Sequence, residues 1–132
     1  MKENIFERSK YPTFSKDNPG SGLLKIQVFT ANQAFPIKDV KIKITKDIDG
    51  ENVIFYEGVT NDSGIIDDIS LPTKKAKENI ESFEDIIYTT YVVSAEYPKT
   101  NTTQQYNVSV FDDLKVIQPI RFSSVSEGDS NE

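Results

Sequence analysis

Residues 22–72, GLLKIQVFTANQAFPIKDVKIKITKDIDGENVIFYEGVTNDSGIIDDISLP, decide the fold. Near their middle, Val40, Ile42 and Ile44 alternate with Lys41 and Lys43. Such alternation places apolar side chains on one face and charged side chains on the other, as in a half-buried strand. A helix of the same residues would bury lysines. The stretch therefore predicts β-structure that belongs to a small sandwich.

Two turn signals divide this stretch. The pair Asp49-Gly50 stands between alternating runs and predicts a two-residue hairpin, because glycine accepts the positive φ of a type I′ turn. The run 61–64, Asn-Asp-Ser-Gly, predicts a second turn by the same chemistry. Two turns between short alternating segments indicate antiparallel strands.

Seven strands are predicted, which favours an all-β, Greek-key sandwich. The polar, mildly helical segment 73–85 is predicted to be one irregular or helical crossover. The strand at 86–97 is continuously apolar or β-branched, which predicts a central strand that is covered on both faces. The predicted strands cover residues 22–31, 37–46, 52–59, 65–71, 86–97, 103–111 and 114–122.

The chain is predicted to contain one domain with two appendages. Residues 1–21 are too polar for a core element but carry Phe6, Tyr11 and Phe14, which predicts an extended N-terminal arm. Residues 22–122 form the sandwich. Residues 123–132 are small and acidic and are predicted to be disordered.

Composition excludes several classes of function. The chain of 132 residues has no cysteine and no histidine, so a Ser-His-Asp or Cys-His nucleophile is impossible. A net charge of −6 argues against nucleic-acid binding. No apolar run approaches the roughly 20 residues of a membrane span. No secretion signal is recognised, so synthesis in the cytoplasm is expected, with deposition in a spore or particle as a further possibility.

Metal and sugar sites are weighed against simpler interpretations. Asp47, Asp49 and Glu51 place oxygens at alternate positions around Gly50, yet they lack the later ligands of a calcium loop, so a plain hairpin is favoured. Neither a metal nor a cofactor is expected. The aromatic residues are expected to pack in the core and at strand edges, because no tryptophan is present to stack on a sugar. This set comprises Tyr88, Tyr91, Tyr97, Tyr106 and Phe111.

The succession GLLKIQV, PIKDVKIKI and TNDSG followed by ISLP resembles the transthyretin-like (prealbumin-like) sandwiches of the carboxypeptidase regulatory-like and Cna B-type group. The resemblance implies a second strand that opens with Pro36-Ile37, and a Thr-x-x-x-Gly turn from Thr60 to Gly64. Some Cna B-type domains carry a Lys–Asn isopeptide bond. Lys25 and Lys43 are the candidate lysines, but residues 114–124 contain no Asn or Asp, so a solvent-facing strand lysine is favoured.

The second half of the chain resembles the accessory β domain of clostridial spore cortex-lytic enzymes. The residues that carry this resemblance are YTTYVV (88–93), YNVSVFD (106–112) and IQPI (117–120). The Gly-Phe turn of that domain is replaced by Glu96-Tyr97-Pro98, and no peptidoglycan-cleaving domain is expected to accompany this sandwich. The resemblance implies a bacterial spore or cell-wall setting and transfers no catalytic residue.

Two hypotheses about function follow. The first is a non-catalytic binding or structural module, not an enzyme, that docks on a protein partner or self-assembles, with no small-molecule ligand expected. Its partner-binding residues would be those that the core does not need: Phe6, Tyr11, Phe14, Ile80 and Phe83. The alternative is a small carboxylate-dependent hydrolase acting on cell wall, with the acid pairs 67/68, 84/85 and 112/113. Adjacent strand residues point to opposite faces, which disfavours those pairs outside turns.

Overall fold

The computed structural model describes residues 3–32 and 34–123, so the predicted disordered tail lies outside the described residues apart from Ser123. One α-helix, α1 (Pro12–Asp17), precedes most of the strands, and single 3-10 turns lie at Arg8–Lys10 and Phe83–Asp85. The strands of the described residues are β1 (Glu3–Asn4), β2 (Gly20–Thr30), β3 (Lys41–Ile48), β4 (Glu51–Val59), β5 (Ile65–Thr73), β6 (Thr89–Tyr97), β7 (Thr102–Val110) and β8 (Lys115–Phe122).

The strands form two sheets that pack face to face. One sheet has the order β1-β4-β3-β6-β7 and is antiparallel throughout, and the other has the order β5-β2-β8. In the smaller sheet, β2 pairs antiparallel with β5 and parallel with β8. The predicted all-β sandwich is confirmed, and the crossover between β5 and β6 is irregular with one 3-10 turn.

The core lies between the sheets and follows the alternation of the strands. Ile42 and Ile44 of β3 are 2% and 0% exposed, whereas Lys41 and Lys43 face solvent. The prediction that the sixth strand is covered on both faces is wrong: Tyr91 and its alternate neighbours are buried, but their outward neighbours stay partly exposed. A sandwich of two layers leaves the outer face of each sheet open.

The two predicted turns form as expected. Asp49 and Gly50 both have positive φ, 52° and 85°, as a type I′ hairpin between β3 and β4 requires. Gly64 has φ 74°, and a Cβ at this position would stand 2.3 Å from the carbonyl oxygen of Val28. Only glycine allows this close approach of the second turn to β2.

The third strand in the chain starts four residues later than the sequence predicts. Pro36 makes only an isolated bridge to Phe29, and Asp39 takes the left-handed conformation with φ 64°, which interrupts the strand before Lys41. The buried Thr60 hydroxyl donates to the Ile37 carbonyl (2.8 Å) and accepts from the Val40 amide (3.0 Å). The Thr60 side chain therefore fixes residues 37–40, which lie outside the paired part of β3.

The arm is not extended throughout, because it contains α1 and a 3-10 turn, and it folds onto its own domain. The ring of Phe6 stacks on that of Phe55 with a centroid distance of 4.2 Å, and Phe14 meets Phe55 edge-on at 5.7 Å. Phe14 is 9% exposed, and Phe6 and Tyr11 pack against the core. The arm aromatics thus extend the hydrophobic core.

The assignment of the two faces of β3 can be tested by a pair of neighbouring substitutions. Ile42→Lys would bury an unpaired charge and should cost about 3 kcal/mol or more of unfolding free energy. Lys43→Ala removes an exposed side chain and should change stability by less than about 0.5 kcal/mol. Urea unfolding measures both, and equal effects would reject the assignment.

The contribution of the arm to the core leads to a second test. Phe6→Ala removes a partly buried ring that stacks on Phe55 and should cost about 2 kcal/mol. Phe83→Ala is the matched control, because this phenylalanine is 90% exposed, and it should be silent. If the two variants melt at the same temperature, the arm does not stabilise the sandwich.

Candidate functional site

An open groove of about 560 Å³ crosses the outer face of the five-stranded sheet. We call it the outer-face groove. Its polar lining comes from the consecutive strands β3 and β4 and from the consecutive strands β6 and β7, which the pairing of β3 with β6 brings together. The polar residues of the lining are Lys41 and Lys43 of β3, Glu57 of β4, Ser94 and Glu96 of β6, and Thr103 of β7.

The ladder arranges these side chains in two rows. In the first row, Lys43 stands between Glu57 and Ser94. In the second row, Lys41 pairs with Glu96, which in turn pairs with Thr103. Directly opposed side chains on neighbouring strands have Cβ atoms about 5 Å apart, and the rows are separated by two residues, or roughly 7 Å. A small molecule can therefore contact both rows.

Each lysine of the groove has a carboxylate neighbour on a different side. Lys43 Nζ lies 3.8 Å from Glu57 Oε2, and both side chains are about half exposed. Lys41 has Glu96 as its cross-strand partner on β6. The arrangement offers two ammonium donors and two carboxylate acceptors that remain accessible. Such groups can polarise a carbonyl and activate a water molecule without histidine.

Sequence reasoning did not select Glu57, Glu96 or Ser94. The signal that could have found Ser94 and Glu96 is their phase, because both lie on a predicted strand, out of step with its buried residues. Glu57 has the parity of the buried Phe55 and faces outward only because the β3–β4 register shifts there, so phase would have misplaced it. Phase shows which residues face outward but not which of them meet.

The acid pair 67/68 does converge, contrary to the expectation for adjacent strand residues. The β2–β5 register shifts between Leu24 and Ile26, so β5 carries an extra residue there, and Asp68 takes φ 56°. This bulge turns both carboxylates toward Lys115, whose Nζ lies 3.1 Å from Asp67 and 3.3 Å from Asp68. A hydrogen bond from Lys115, followed by one from the Asp68 amide, lowers the pKa of Asp67. Lys115 and the two aspartates therefore form an ion-pair cluster on the surface, in which both carboxylates are paired with the same lysine.

The pair 112/113 does not converge. Asp112 is almost buried and accepts hydrogen bonds from the amides of Ser21 (3.1 Å) and Ala76 (3.1 Å). These two amides, Ala76 first, hold the pKa of Asp112 below its usual range, and Lys75 adds to the effect. Asp113 occupies the following turn with an exposed side chain and φ 62°. Asp112 therefore ties the crossover to β2.

The pair 84/85 also serves the crossover. Asp85 accepts hydrogen bonds from the amides of Glu81 (2.9 Å) and Ser82 (3.3 Å), and Lys77 lies 3.5 Å away. The Glu81 amide is the main cause of the lowered pKa of Asp85. Glu84 is exposed. The Asp85 carboxylate thus closes the 3-10 turn.

A second groove of about 620 Å³ lies at one end of the sandwich. It contains one carboxylate, Asp39, with Lys38 and Lys99, among aromatic and proline side chains. Within the described residues, no group of three acids, histidines or cysteines could hold a metal ion. Asp47 instead accepts a hydrogen bond from the Asn52 side chain (3.1 Å) beside the hairpin. Of the two grooves, only the outer-face groove is thus lined by paired acids and lysines.

The predicted partner-binding residues separate into two groups. Phe14 is buried and Phe6 is partly buried, so the core occupies much of their surface. Ile80 and Phe83 of the crossover are 56% and 90% exposed. Phe6 and Phe14 pack on Phe55, whereas Ile80 and Phe83 lie on the exposed crossover, and a role in partner binding stays a prediction. The five tyrosines and phenylalanines considered for sugar stacking likewise form no single platform, since Tyr91 is 1% exposed.

No protein-family model matches this chain, and no curated protein matches it in sequence. Solved structures are similar in fold. (S)-allantoin synthase aligns with 85% of this chain and 44% of its own length, at 16% identity and a TM-score of 0.52. Transthyretin from Sparus aurata aligns with 72% of this chain and 86% of its own (14% identity, TM-score 0.44). 5-Hydroxyisourate hydrolase from Klebsiella pneumoniae aligns with 74% and 90% (14% identity, TM-score 0.43).

These similarities show the fold and nothing finer. The chain spans less than half of the length of (S)-allantoin synthase. The expectation of a non-catalytic binding or structural module, and not an enzyme, is nevertheless contradicted. It followed the resemblance to an accessory β domain, whereas (S)-allantoin synthase, whose name is that of an enzyme, is similar to this chain in fold. The spore and cell-wall setting finds no support among them.

Within residues 3–32 and 34–123, no helix is both long enough and apolar enough to cross a membrane.

The anchoring role of Asp112 makes stability depend on pH. A carboxyl group whose pKa is lowered by folding stabilises the native state above its unfolded pKa of about 3.9, and this contribution is lost as the pH falls through the folded value. Asp112→Asn should therefore unfold at lower urea than the parent at pH 7, and the difference should shrink toward pH 2. Asp113→Asn, in the adjacent turn, should leave stability unchanged at pH 7. A difference that is independent of pH would contradict the assignment.

Proposed function

We propose that this chain is a hydrolytic enzyme that acts on a small polar substrate in the outer-face groove. Two lysine–glutamate pairs that line one groove carry the proposal. They are Lys43 with Glu57 on β4 and Lys41 with Glu96 on β6, so the two glutamates lie on opposite sides of the lysines. The volume of about 560 Å³ lies within the usual range for small-molecule sites, about 300–1,000 Å³.

The chemistry assigns a role to each type of side chain. A glutamate accepts a proton from a water molecule as the water attacks a carbonyl carbon. The neighbouring lysine donates a hydrogen bond to the carbonyl oxygen, where negative charge develops. Ser94 and Thr103 offer hydroxyl groups that can orient the substrate at the end of each row.

The preferred substrate class is a ureide, a compound in which carbonyl groups alternate with N–H groups, as in allantoin. Its carbonyl oxygens fit Lys41 and Lys43, and its N–H groups fit Glu57 and Glu96. Two observations support this choice: the mixed donors and acceptors of the groove, and the similarity in fold to an enzyme named for allantoin. Cell-wall polymers remain the comparison substrate.

The test is to incubate the full chain with allantoin, hydantoin or solubilised peptidoglycan and to monitor turnover by proton NMR. We expect hydrolysis of a ureide, and a loss of about 100-fold or more in kcat for Glu96→Gln or Glu57→Gln. Glu84→Gln, on the exposed crossover, is the matched control and should retain full activity. The proposal fails if no ureide is consumed, or if both groove variants remain as active as the control.

A further inference from the structure

The crossover holds one phenylalanine in solvent on a folded support. Phe83 begins the 3-10 turn and is 90% exposed, and Ile80, three residues earlier, is 56% exposed. The Asp85 carboxylate accepts hydrogen bonds from the amides of Glu81 (2.9 Å) and Ser82 (3.3 Å), which fixes the backbone that carries the ring. A side chain on a backbone that is already ordered can bind a partner without the cost of ordering a loop.

The groove of about 620 Å³ at one end of the sandwich, which we call the end groove, has the properties of an acceptor for such a ring. Its volume lies in the range that accommodates small molecules, about 300–1,000 Å³, so an aromatic side chain fits. The apolar part of its lining comes from Pro36, Ile37, Tyr97 and Pro98. Aromatic side chains that fill a pocket on a partner dominate the binding energy of many interfaces.

The charges beside the ring and beside the end groove are opposite in sign. Residues 78–85, ENIESFED, carry four acids and no lysine or arginine. Lys38 and Lys99 line the end groove, and Asp39 is the one acid among its lining residues. Lys38 pairs at 3.9 Å with Asp62, whose side chain is 95% exposed, and Lys99 has no carboxylate within 4 Å among residues 3–32 and 34–123. Both ammonium groups are therefore available to an acidic partner segment.

The crossover and the end groove lie at opposite ends of the sandwich. The crossover is anchored where β6 begins, because the Lys74 amide donates to the Thr89 hydroxyl (3.3 Å). β6 ends at Tyr97, which lines the end groove, and a strand of nine residues is roughly 30 Å long. Since Phe83 is almost fully exposed, it does not fill the end groove of its own chain. An occupant of the end groove with this chemistry must therefore come from a second copy.

We propose that Ile80 and Phe83 of one copy insert into the end groove of a second copy. The acids that precede Phe83 then face Lys38 and Lys99 of that second copy. Because the two surfaces differ, the contact propagates from copy to copy into a ring or an open chain. The end groove and the outer-face groove have no lining residue in common, and the association does not depend on the proposed function.

Sedimentation equilibrium of the full chain over a range of protein concentrations tests the contact. We expect the mean mass to rise with concentration above that of a monomer, and to fall at high salt because the opposed charges are exposed. Phe83→Ala should raise the dissociation constant about tenfold or more, as the loss of an aromatic anchor does. Leu114→Ala is the matched control, because this leucine is 59% exposed just before β8, and it should not change association. A parent chain that stays monomeric, or a Phe83→Ala chain that associates like the parent, overturns the proposal.

Mixing two variants distinguishes this contact from a symmetric one. The double variant Lys38→Glu, Lys99→Glu keeps its own Phe83 but repels the acids, whereas Phe83→Ala keeps an intact end groove. Neither variant should associate alone where the parent does, but an equal mixture should form a one-to-one dimer and nothing larger. A mixture that stays monomeric overturns the proposal and leaves the end groove to another protein or a small molecule. The substituted side chains are all exposed, and thermal melts at low concentration establish that each variant folds.

Discussion

The two sheets are joined at the end of β5 by buried hydrogen bonds within an otherwise apolar interface. The Tyr91 hydroxyl donates to the Pro72 carbonyl, and the Thr73 hydroxyl donates to the Val110 carbonyl (2.7 Å). A buried polar group without its partner costs about 1–3 kcal/mol, so these bonds disfavour any sliding of one sheet over the other. Because they hold Tyr91 in place, they also position Phe55, whose ring meets that of Tyr91 edge-on at 4.9 Å and on which the arm packs.

The sequence predicts the strands and turns well because local chemistry determines them. Apolar alternation identifies β3, and the positive φ of Asp49 and Gly50 follows from the turn residues themselves. Bulges are less visible. Phe55 and Tyr56 are adjacent and both buried because the β3–β4 register shifts at this point. A signal for the other bulge does exist: Ile66 and Ile69 are three residues apart and both face the core, which strict alternation forbids.

The arm shows a different limit of sequence reasoning. Phe6, Tyr11 and Phe14 indicate that the arm must bury apolar surface, but composition does not say against which surface. The structure answers with Phe55, whose ring contacts Phe6, Phe14 and Tyr91. The bulge that buries Phe55 beside Tyr56 also supplies this contact. A register shift that is not apparent in the sequence therefore decides where the arm aromatics, which are apparent in it, pack.

The outer-face groove was missed for a related reason. Ser94 faces outward by alternation and Glu57 through the β3–β4 register shift, and both become neighbours of Lys43 only through the register of three strands. The pairing register of strands depends on how the whole core packs, whereas the face on which a side chain lies depends on a few neighbouring residues. Lys46 is the opposite case, because it lies in phase with the buried Ile42, Ile44 and Ile48 and is visible in the sequence as a lysine on an apolar face. Placing a charge there opposes stability, and the hydrogen bond that Lys46 donates to the Thr90 carbonyl offsets part of this cost.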